Sequence, residues 1–259
     1  MRYRELAPPD RFKSLVAGLW AFPATGHAHR VLPDGCMDIV VIDGRARLVG
    51  TMQRAIVVRP SADAVLGIRF RPGEVARLFS GLPGELTDAD SLLHDVWGAD
   101  GRRLEDGLLA VVEDASRRAL DADAIVRRAL PIVEQALQQR LATRAAPADL
   151  PVRAAALLLG QGLSVREAAQ RTHLSERHLA RRFIERVGVS PRTFARVRRL
   201  QRAALELQRG GKPAQAAVLV GYADQAHFTR EANALAGATP ATLSRELCDG
   251  LDTSVPVVL

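Results

Sequence analysis

Apolar residues in the first part of the chain follow the pattern of short strands. The runs 37–42 and 45–49 are rich in apolar and β-branched side chains, and the Asp43-Gly44 pair between them is a strong hairpin signal. Two more runs of this kind follow, "AIVVRP" (55–60) and "AVLGIRFRPG" (64–73). The pattern therefore predicts a β-rich region.

From Gly73 onward the spacing of apolar residues becomes helical. We expect helices in 73–81, 89–98, 102–119 and 122–143. Pro131 is expected to kink or divide the last of these, because proline lacks the backbone N–H that a helix interior requires. The stretch "RAAPADLP" (144–151) is expected to link this half to the next.

The second half contains an internal repeat with a spacing of 49 residues, in which 174–191 aligns with 223–240. Ser175 and Asp224 coincide as helix N-caps, since their side-chain oxygens can accept from free amides of the first turn. The identical pairs are His178 and His227, Arg181 and Arg230, Gly188 and Gly237, and Pro191 and Pro240. A short helical segment precedes each copy, and the pattern predicts two helix-turn-helix units.

Between the two units, apolar residues recur at steps of three and four and predict one amphipathic helix. We expect the first unit at about 164–187, the joining helix at 191–209 and the second unit at about 213–236. The predicted fold class is α+β. A β-rich, partly barrel-like domain with helices precedes an all-α domain of two helix-turn-helix units joined by a long helix.

These patterns also predict where the domains lie. Residues 1–100 are expected to form a sensor or regulatory domain, and 101–145 a helical linker whose apolar faces offer a dimerisation seam. Residues 150–248 are expected to form a DNA-binding domain, and 249–259 a flexible tail.

Charge is concentrated in the second half of the chain. Residues 1–150 hold 20 Lys and Arg against 20 Asp and Glu, whereas 151–248 hold 16 against 7. A basic domain beside a neutral one is typical of a protein that binds a polyanion, since cationic side chains release counterions from phosphates. A solvated basic surface is the alternative that charge alone leaves open.

The repeat resembles the DNA-binding domain of the AraC/XylS family of bacterial transcription regulators. The segments that carry the resemblance are "LSVREAAQRTHLSERHLARRFIERVGVSPRTF" and "AAVLVGYADQAHFTREANALAGATP". Ala232 departs from the family pattern, which usually has an aromatic residue there. Residues 1–110 are similar to a sensor-like domain in one branch of that family, through "LPDGCMDIV" and "GIRFRPG". The resemblance implies a transcription regulator that binds double-stranded DNA and senses a small molecule or another signal.

Outward polar residues of the two predicted recognition helices are the candidates for DNA contact. Arginine suits the acceptor pair of guanine and Gln or Asn suits adenine, while other arginines suit phosphates. The candidates are Arg177, His178, Arg181, Arg182, Arg186, Arg192, Arg196, Gln225, His227, Arg230 and Asn233. For the two histidines, packing or capping is the alternative role.

Candidate ligand-binding residues lie in the first half: Trp20, Arg30, Asp34, Asp38, Arg69 and Arg71. The alternative is that Asp34-Gly35 only makes a turn and that Arg69 or Arg71 pairs with a surface carboxylate. A metal site formed by His27, His29, Asp34, Cys36 and Asp38 and a redox role for Cys36 are weaker alternatives, and we expect neither a metal nor another cofactor.

No apolar run approaches the roughly 20 residues of a membrane helix, and the N-terminus lacks an apolar signal segment, so we expect a cytoplasmic protein with no membrane partner. Phosphate-loop, nucleophile-elbow and zinc signatures are absent from the sequence, which argues against an enzyme. An enzymatic N-terminal domain tethered to DNA by the basic domain is the alternative. RNA polymerase, a small-molecule effector and a second copy of the chain are the further partners considered.

Overall fold

The structure is a computed structural model that describes residues 3–23, 28–60, 64–79, 81, 83–144, 146–248 and 253–254. Within these residues, no helix has both the length and the apolar character needed to cross a membrane.

An open antiparallel sheet of six strands forms the centre of the N-terminal half, in the order β1-β2-β7-β4-β5-β8. Its strands are β1 (Arg4–Leu6), β2 (Val16–Pro23), β4 (Asp38–Ile42), β5 (Arg45–Val49), β7 (Ala64–Phe70) and β8 (Asp90–Leu92). A smaller sheet contains β3 (His29–Val31), β6 (Ile56–Val58) and β9 (Thr253–Ser254). The hairpin predicted at Asp43-Gly44 is confirmed, because it joins β4 to β5.

Three helices follow the sheet: α1 (Leu93–Trp97), α2 (Ala99–Arg118) and α3 (Ala122–Arg144). Leu104 and Leu108 of α2 and Val126 and Val133 of α3 are buried in one cluster with apolar residues of the sheet. The apolar faces that the sequence offers for dimerisation are therefore packed against the sheet within the same chain. Of the two outcomes expected at Pro131, a kink or a division, the division is excluded, since α3 runs through Pro131 as one element.

The helix predicted over 73–81 was wrong. Among the described residues of that range, only Val75–Arg77 is helical, as a single 3-10 turn, and 90–92 pairs as β8 before α1 begins. The apolar stretches in 73–81 and 89–98 are too short for several helical turns. The backbone N–H and C=O groups of such short stretches find hydrogen-bond partners equally well in turns and edge strands.

The C-terminal half is entirely helical up to Cys248 and matches the predicted fold class. Its helices are α4 (Leu150–Gly160), α5 (Val165–Arg171), α6 (Glu176–Val187), α7 (Pro191–Gln208), α8 (Pro213–Leu219), α9 (Gln225–Ala236) and α10 (Pro240–Cys248). Of the segment predicted as a flexible tail, 249–252 and 255–259 lie outside the described residues, and Thr253–Ser254 pairs with β3 as β9.

Equivalent caps begin and end the two repeated helices α6 and α9. The Ser175 hydroxyl accepts from the His178 amide at 3.2 Å, and the Asp224 carboxylate accepts from the His227 amide at 2.6 Å. Both helices end at a glycine with positive φ, Gly188 and Gly237. The cap predictions are confirmed.

Helix α7 contributes to the cores of both units. Phe194, near its start, packs edge-on against Phe183 of α6, with ring centroids 5.2 Å apart. Leu200 and Leu207, further along, are buried in the second core with Phe228 of α9. Because one helix is shared, the two units are held in a fixed relation.

Candidate nucleic-acid interface and ligand cavity

The helix α6 has one buried face and one exposed cationic face. Leu179, Phe183 and Val187, spaced four residues apart, point into the first core. The opposite face carries the exposed side chains of Arg177, His178 and Arg181, and the exposed Glu185 lies one turn beyond Arg181. This face is free to enter a major groove, whose width admits a helix.

The helix α9 repeats this arrangement with different polar residues. Phe228, Ala232 and Leu235 are buried, and Gln225, Arg230 and Asn233 are exposed. Ala232 is completely buried in the second core, so the position keeps its inward direction without the aromatic ring.

Two aromatic contacts and one hydrogen bond fix the turn before α9. The Tyr222 ring stacks on Phe228 at 4.9 Å and meets the His227 ring edge-on at 5.2 Å. The Ala223 amide donates to Nδ1 of His227 at 3.4 Å. His227 is therefore half-buried and engaged in the turn, in line with the packing alternative, whereas His178 is exposed.

Three of the arginines proposed for DNA contact form ion pairs within the domain. Arg182 donates twice to the buried carboxylate of Asp149, at 3.0 and 2.8 Å, and Arg186 lies 3.8 Å from the same carboxylate. Asp149 also caps α4 by accepting from the amide of Val152 at 3.1 Å. This carboxylate thus ties α6 to the first turn of α4.

Arg196 of α7 makes a bidentate pair with Glu231 of α9, with both N–O distances 2.9 Å. The hydrogen bond from Arg196 lowers the pKa of Glu231, and the same bond raises the pKa of Arg196. The pair fastens α9 to α7. Arg192, at the start of α7, is exposed.

A cavity of about 690 Å³ lies between the six-stranded sheet and the small sheet. One wall of the cavity is formed by β4, whose side chains point alternately to the two sides of the sheet. Asp38, Val40 and Ile42 face the cavity, whereas Ile39 and Val41 face the helices. Strands β3 and β6 supply the opposite wall through residues such as Val31 and Ile56.

Arg69 lies at the buried end of this cavity and is surrounded by carboxylates. Its guanidinium nitrogens lie 3.1 Å from Oε2 of Glu5, 2.9 Å from Oδ2 of Asp34 and 3.2 Å from Oδ2 of Asp38. The Trp20 indole N–H donates to the same Asp38 oxygen at 2.9 Å. Burial first and the Asp34 charge next raise the pKa of Asp38 to about 7, although Arg69 acts in the opposite direction.

Cys36 lines the same cavity. Burial and the negative charge of Asp34 raise the pKa of its thiol well above the usual value, so the thiolate that redox chemistry needs is disfavoured. Among the described residues, no group of three or more His, Cys, Asp and Glu side chains is arranged to hold a metal ion. His27, which belongs to the metal alternative, lies outside the described residues.

The loop that follows β3 reaches from the cavity to helix α7. Leu32 is completely buried in the core of the second helix-turn-helix unit. The Gln201 amide nitrogen donates to the Pro33 carbonyl at 2.5 Å, and Arg198 donates to the Asp34 carbonyl at 3.4 Å. Gly35 has φ near +82°, and a Cβ there would lie 2.4 Å from the Phe194 ring.

Other contacts join the N-terminal half to the ends of α6 and α9. The hydroxyls of Thr51 and Thr87 donate to the carbonyls of Val187 and Gly188, at 2.6 and 2.8 Å. The Ala55 amide donates to the Leu235 carbonyl at 2.7 Å. Both α6 and α9 thus end against loops of the N-terminal half.

The structure brings together four of the six candidate ligand residues, because Trp20, Asp34, Asp38 and Arg69 all line the cavity. Arg30 instead donates to the carboxylate of Glu246 and the carbonyl of Ala236. Arg71 donates to the carbonyl of Lys13. Sequence reasoning missed Glu5, Leu32 and Pro33, since their roles depend on contacts with residues far away in the chain.

A family model described as a helix-turn-helix domain matches residues 168–246. That match covers α6 to α9 and the repeat that they form. Residues 168–246 form an AraC-type helix-turn-helix domain. The protein is accordingly a DNA-binding transcription regulator, and the family points to regulation rather than to an enzyme.

A second family model, described as a domain of unknown function (DUF6597), matches residues 4–91. The match spans the six-stranded sheet and its cavity, upstream of the AraC-type domain. No curated protein matches the chain significantly.

The fold resembles that of ToxT from Vibrio cholerae. An apo structure of a ToxT variant is 12% identical with a TM-score of 0.50, and the alignment covers 90% of this chain and 98% of that chain. A structure of ToxT in a P21 crystal form is 12% identical with a TM-score of 0.47, over 94% and 96% of the two chains. A ToxT structure with a bound unsaturated fatty acid is also 12% identical, with a TM-score of 0.42 over 94% of each chain. The likeness to the apo variant, at a TM-score of 0.50 and 12% identity, shows a shared fold and nothing more.

Proposed function

We propose that the protein reads two successive major-groove segments with α6 and α9, and that the N-terminal domain modulates this binding. Two recognition helices on one shared helix suit half-sites about 34 Å apart on one face of the duplex. On α6, Arg177 and Arg181 are the proposed guanine readers. On α9, Gln225, Arg230 and Asn233 are the proposed readers of adenine and guanine.

The other candidates are proposed as phosphate contacts that fix register. Arg192 is exposed and can approach the backbone directly. Arg182, Arg186 and Arg196 use part of their N–H groups for Asp149 and Glu231, and a guanidinium has five donors, so donors remain for a phosphate. His178 is proposed to assist on α6, and His227 chiefly to hold the turn. RNA polymerase and a second copy of the chain stay predictions.

The loop 32–36 is the observation that favours modulation by the N-terminal domain. Leu32, Asp34 and Cys36 line the cavity, and the carbonyls of Pro33 and Asp34 accept hydrogen bonds from α7. A small-molecule effector in the cavity would act on the same loop that contacts the helix shared by both units. Coupling requires that the effector bind one conformation of the protein more tightly than another, and loop 32–36 is the segment through which such a difference would reach α7.

Binding to a library of randomised DNA sites tests the reading mode. We expect Arg181→Ala and Arg230→Ala each to relax the preference at a different base position, by about 1–3 kcal/mol at that position. Arg192→Ala is the matched control and should weaken binding to all sequences alike, with a smaller salt dependence. Unchanged base preference in both recognition-helix variants would contradict the proposal.

A further inference from the structure

Negative charge is in excess at the buried end of the cavity. Asp34, Asp38 and Glu5 surround the guanidinium of Arg69, and all four side chains are at most 13% exposed. These groups come from β1, β4, β7 and the loop after β3. A second cation, Arg198, donates to the backbone carbonyl of Asp34 at 3.4 Å. The three carboxyl groups outnumber these two cations, so negative charge is left uncompensated once all three ionise, and burying such charge is costly.

Charges at the mouth are balanced by comparison. Arg47 of β5 pairs with Asp90 of β8, and Asp88 accepts from the backbone and side-chain amides of Gln53. Arg54, also on the lining, is exposed to solvent. The excess of carboxyl groups is therefore confined to the buried end.

The wall beside this end is aromatic. Trp20 and Phe22 are stacked, with ring centroids 5.9 Å apart and planes at 8°, and the His29 ring lies 4.9 Å from Phe22. Ring faces attract cations. The rest of the lining is mainly aliphatic and includes Val31, Val40, Ile42, Val49, Ile56 and Val58.

We propose that the cavity binds an organic cation, with an amine or similar charged group at Asp34 and Asp38 beside Trp20 and an apolar body along the aliphatic wall. The volume of about 690 Å³ suits a small molecule of drug-like size. An anionic ligand would meet like charge at the buried end, and a neutral one would leave that charge uncompensated. The inference rests on the proposed role of the cavity as an effector site.

Three probes with one skeleton and different charge test this inference on the full chain: phenylbutylamine, phenylbutanol and phenylbutanoate. Isothermal titration calorimetry should show the amine binding at least about tenfold more tightly than the alcohol, and the carboxylate most weakly. Amine binding should also strengthen as the pH rises through about 7, because Asp38 then carries its charge. An alcohol or carboxylate that binds as tightly as the amine, or an amine that does not bind, overturns the proposal.

Asp38→Asn removes the charge and keeps an acceptor for the Trp20 indole N–H. We expect it to weaken amine binding at least about tenfold and to abolish most of the pH dependence. Asp10→Asn is the matched control, because Asp10 is exposed and pairs only with nearby Lys13 in the described residues. It should change affinity less than about threefold. Equal losses in the two variants overturn the proposal.

The wild-type pH series keeps the test decisive if Asp38→Asn fails to fold. Specific DNA binding by the same preparations reports separately on the proposed function. A protein that binds its DNA site but not the amine refutes only the organic-cation class. A protein that binds the amine but reads no DNA sequence refutes the DNA-reading role instead.

Discussion

Asp38 is buried together with Asp34 and Glu5 around the Arg69 guanidinium. Water would stabilise the charged form of each carboxyl group, and little water reaches this end of the cavity. Arg69 recovers part of that stabilisation, but it must serve three carboxylates and the hydroxyl of Tyr3, to which it donates at 3.1 Å. The pKa of Asp38 is consequently raised by burial and by Asp34 to about 7, so that this group titrates near neutral pH.

The raised pKa predicts how stability depends on pH. The folded protein holds the Asp38 proton up to about pH 7, whereas the unfolded chain releases it at the ordinary value of 3.8. The folded state therefore binds more protons between these values, and stability falls as the pH rises through this window and then levels off. Urea unfolding of the wild type should lose about 1–4 kcal/mol between about pH 5 and 8.

Asp38→Asn identifies the group responsible. The variant should lack this loss, since the asparagine side chain does not titrate. The lowered pKa values of Glu105, Asp114 and Glu231 act in the opposite direction, because their stabilisation is lost only as the pH falls below the usual carboxyl range. A wild-type midpoint that is flat or rises with pH over the window, with no difference from the variant, would contradict the raised pKa.

At the scale of elements, the two repeated helices end alike but face different surroundings. Gly188 after α6 and Gly237 after α9 both have positive φ, which disfavours a residue with a side chain. A Cβ at Gly188 would lie 3.0 Å from the Pro83 carbonyl oxygen and 3.1 Å from the Thr87 hydroxyl. At Gly237 the nearest atom, in Arg30, would be 3.6 Å away.

Alanine substitutions at Gly237 and Gly188 distinguish the cost of backbone strain, which both share, from the cost of a steric clash with the N-terminal domain, which only Gly188 has. Gly237→Ala should lower the free energy of unfolding by about 1–2 kcal/mol, the cost of the left-handed conformation. Gly188→Ala should cost at least about 1 kcal/mol more, since Pro83 must move as well. Chemical denaturation of the two variants measures the difference. Equal costs would show that the loop at Pro83 is not held against α6.

The helices that the sequence predicted correctly are those whose ends are set by interactions between neighbouring residues. The caps Ser175 and Asp224 and the closing glycines act on neighbouring residues, so the repeat was enough to predict α6 and α9. Strands β1, β2 and β8 were not predicted, because they form by pairing with partners distant in the chain.

In the candidate site, too, single residues could be recognised from the sequence, whereas their contacts could not. Asp38 and Arg69 were noticed in predicted strands and Asp34 in a predicted turn, but the meeting of Asp38 and Arg69 depends on the register of β4 and β7. Glu5 joins them only because β1 pairs with β2. The burial of Leu32 in the core of another unit has no counterpart in a local pattern, and only the fold reveals it.

At the scale of the whole molecule, the N-terminal half contacts the DNA-binding domain through hydrogen bonds to the carbonyl groups at the ends of α6 and α9. The last carbonyls of a helix have no partner within it. Thr51 and Thr87 supply partners at the end of α6, and the amide of Ala55 supplies one near the end of α9. Loops that carry Ala55 and Asp88 also line the cavity. Ligand-dependent movement of these loops would therefore alter how firmly each recognition helix is anchored.

Removing the two hydroxyls tests this anchoring directly. The double variant Thr51→Val, Thr87→Val keeps the side-chain shape and leaves the carbonyls of Val187 and Gly188 without these donors. At about 1 kcal/mol for each lost bond, amides around 184–190 should exchange with deuterium about 5–30-fold faster, whereas those of β7 should not change.

Thr143→Val is the matched control, because its hydroxyl bonds only to carbonyls within α3 among the described residues. If the control accelerates exchange at 184–190 as much as the double variant does, the two threonines do not anchor the recognition helix. Selective acceleration at the end of α6 means that the N-terminal domain sets its local stability, which is the physical requirement for regulating DNA binding from the cavity.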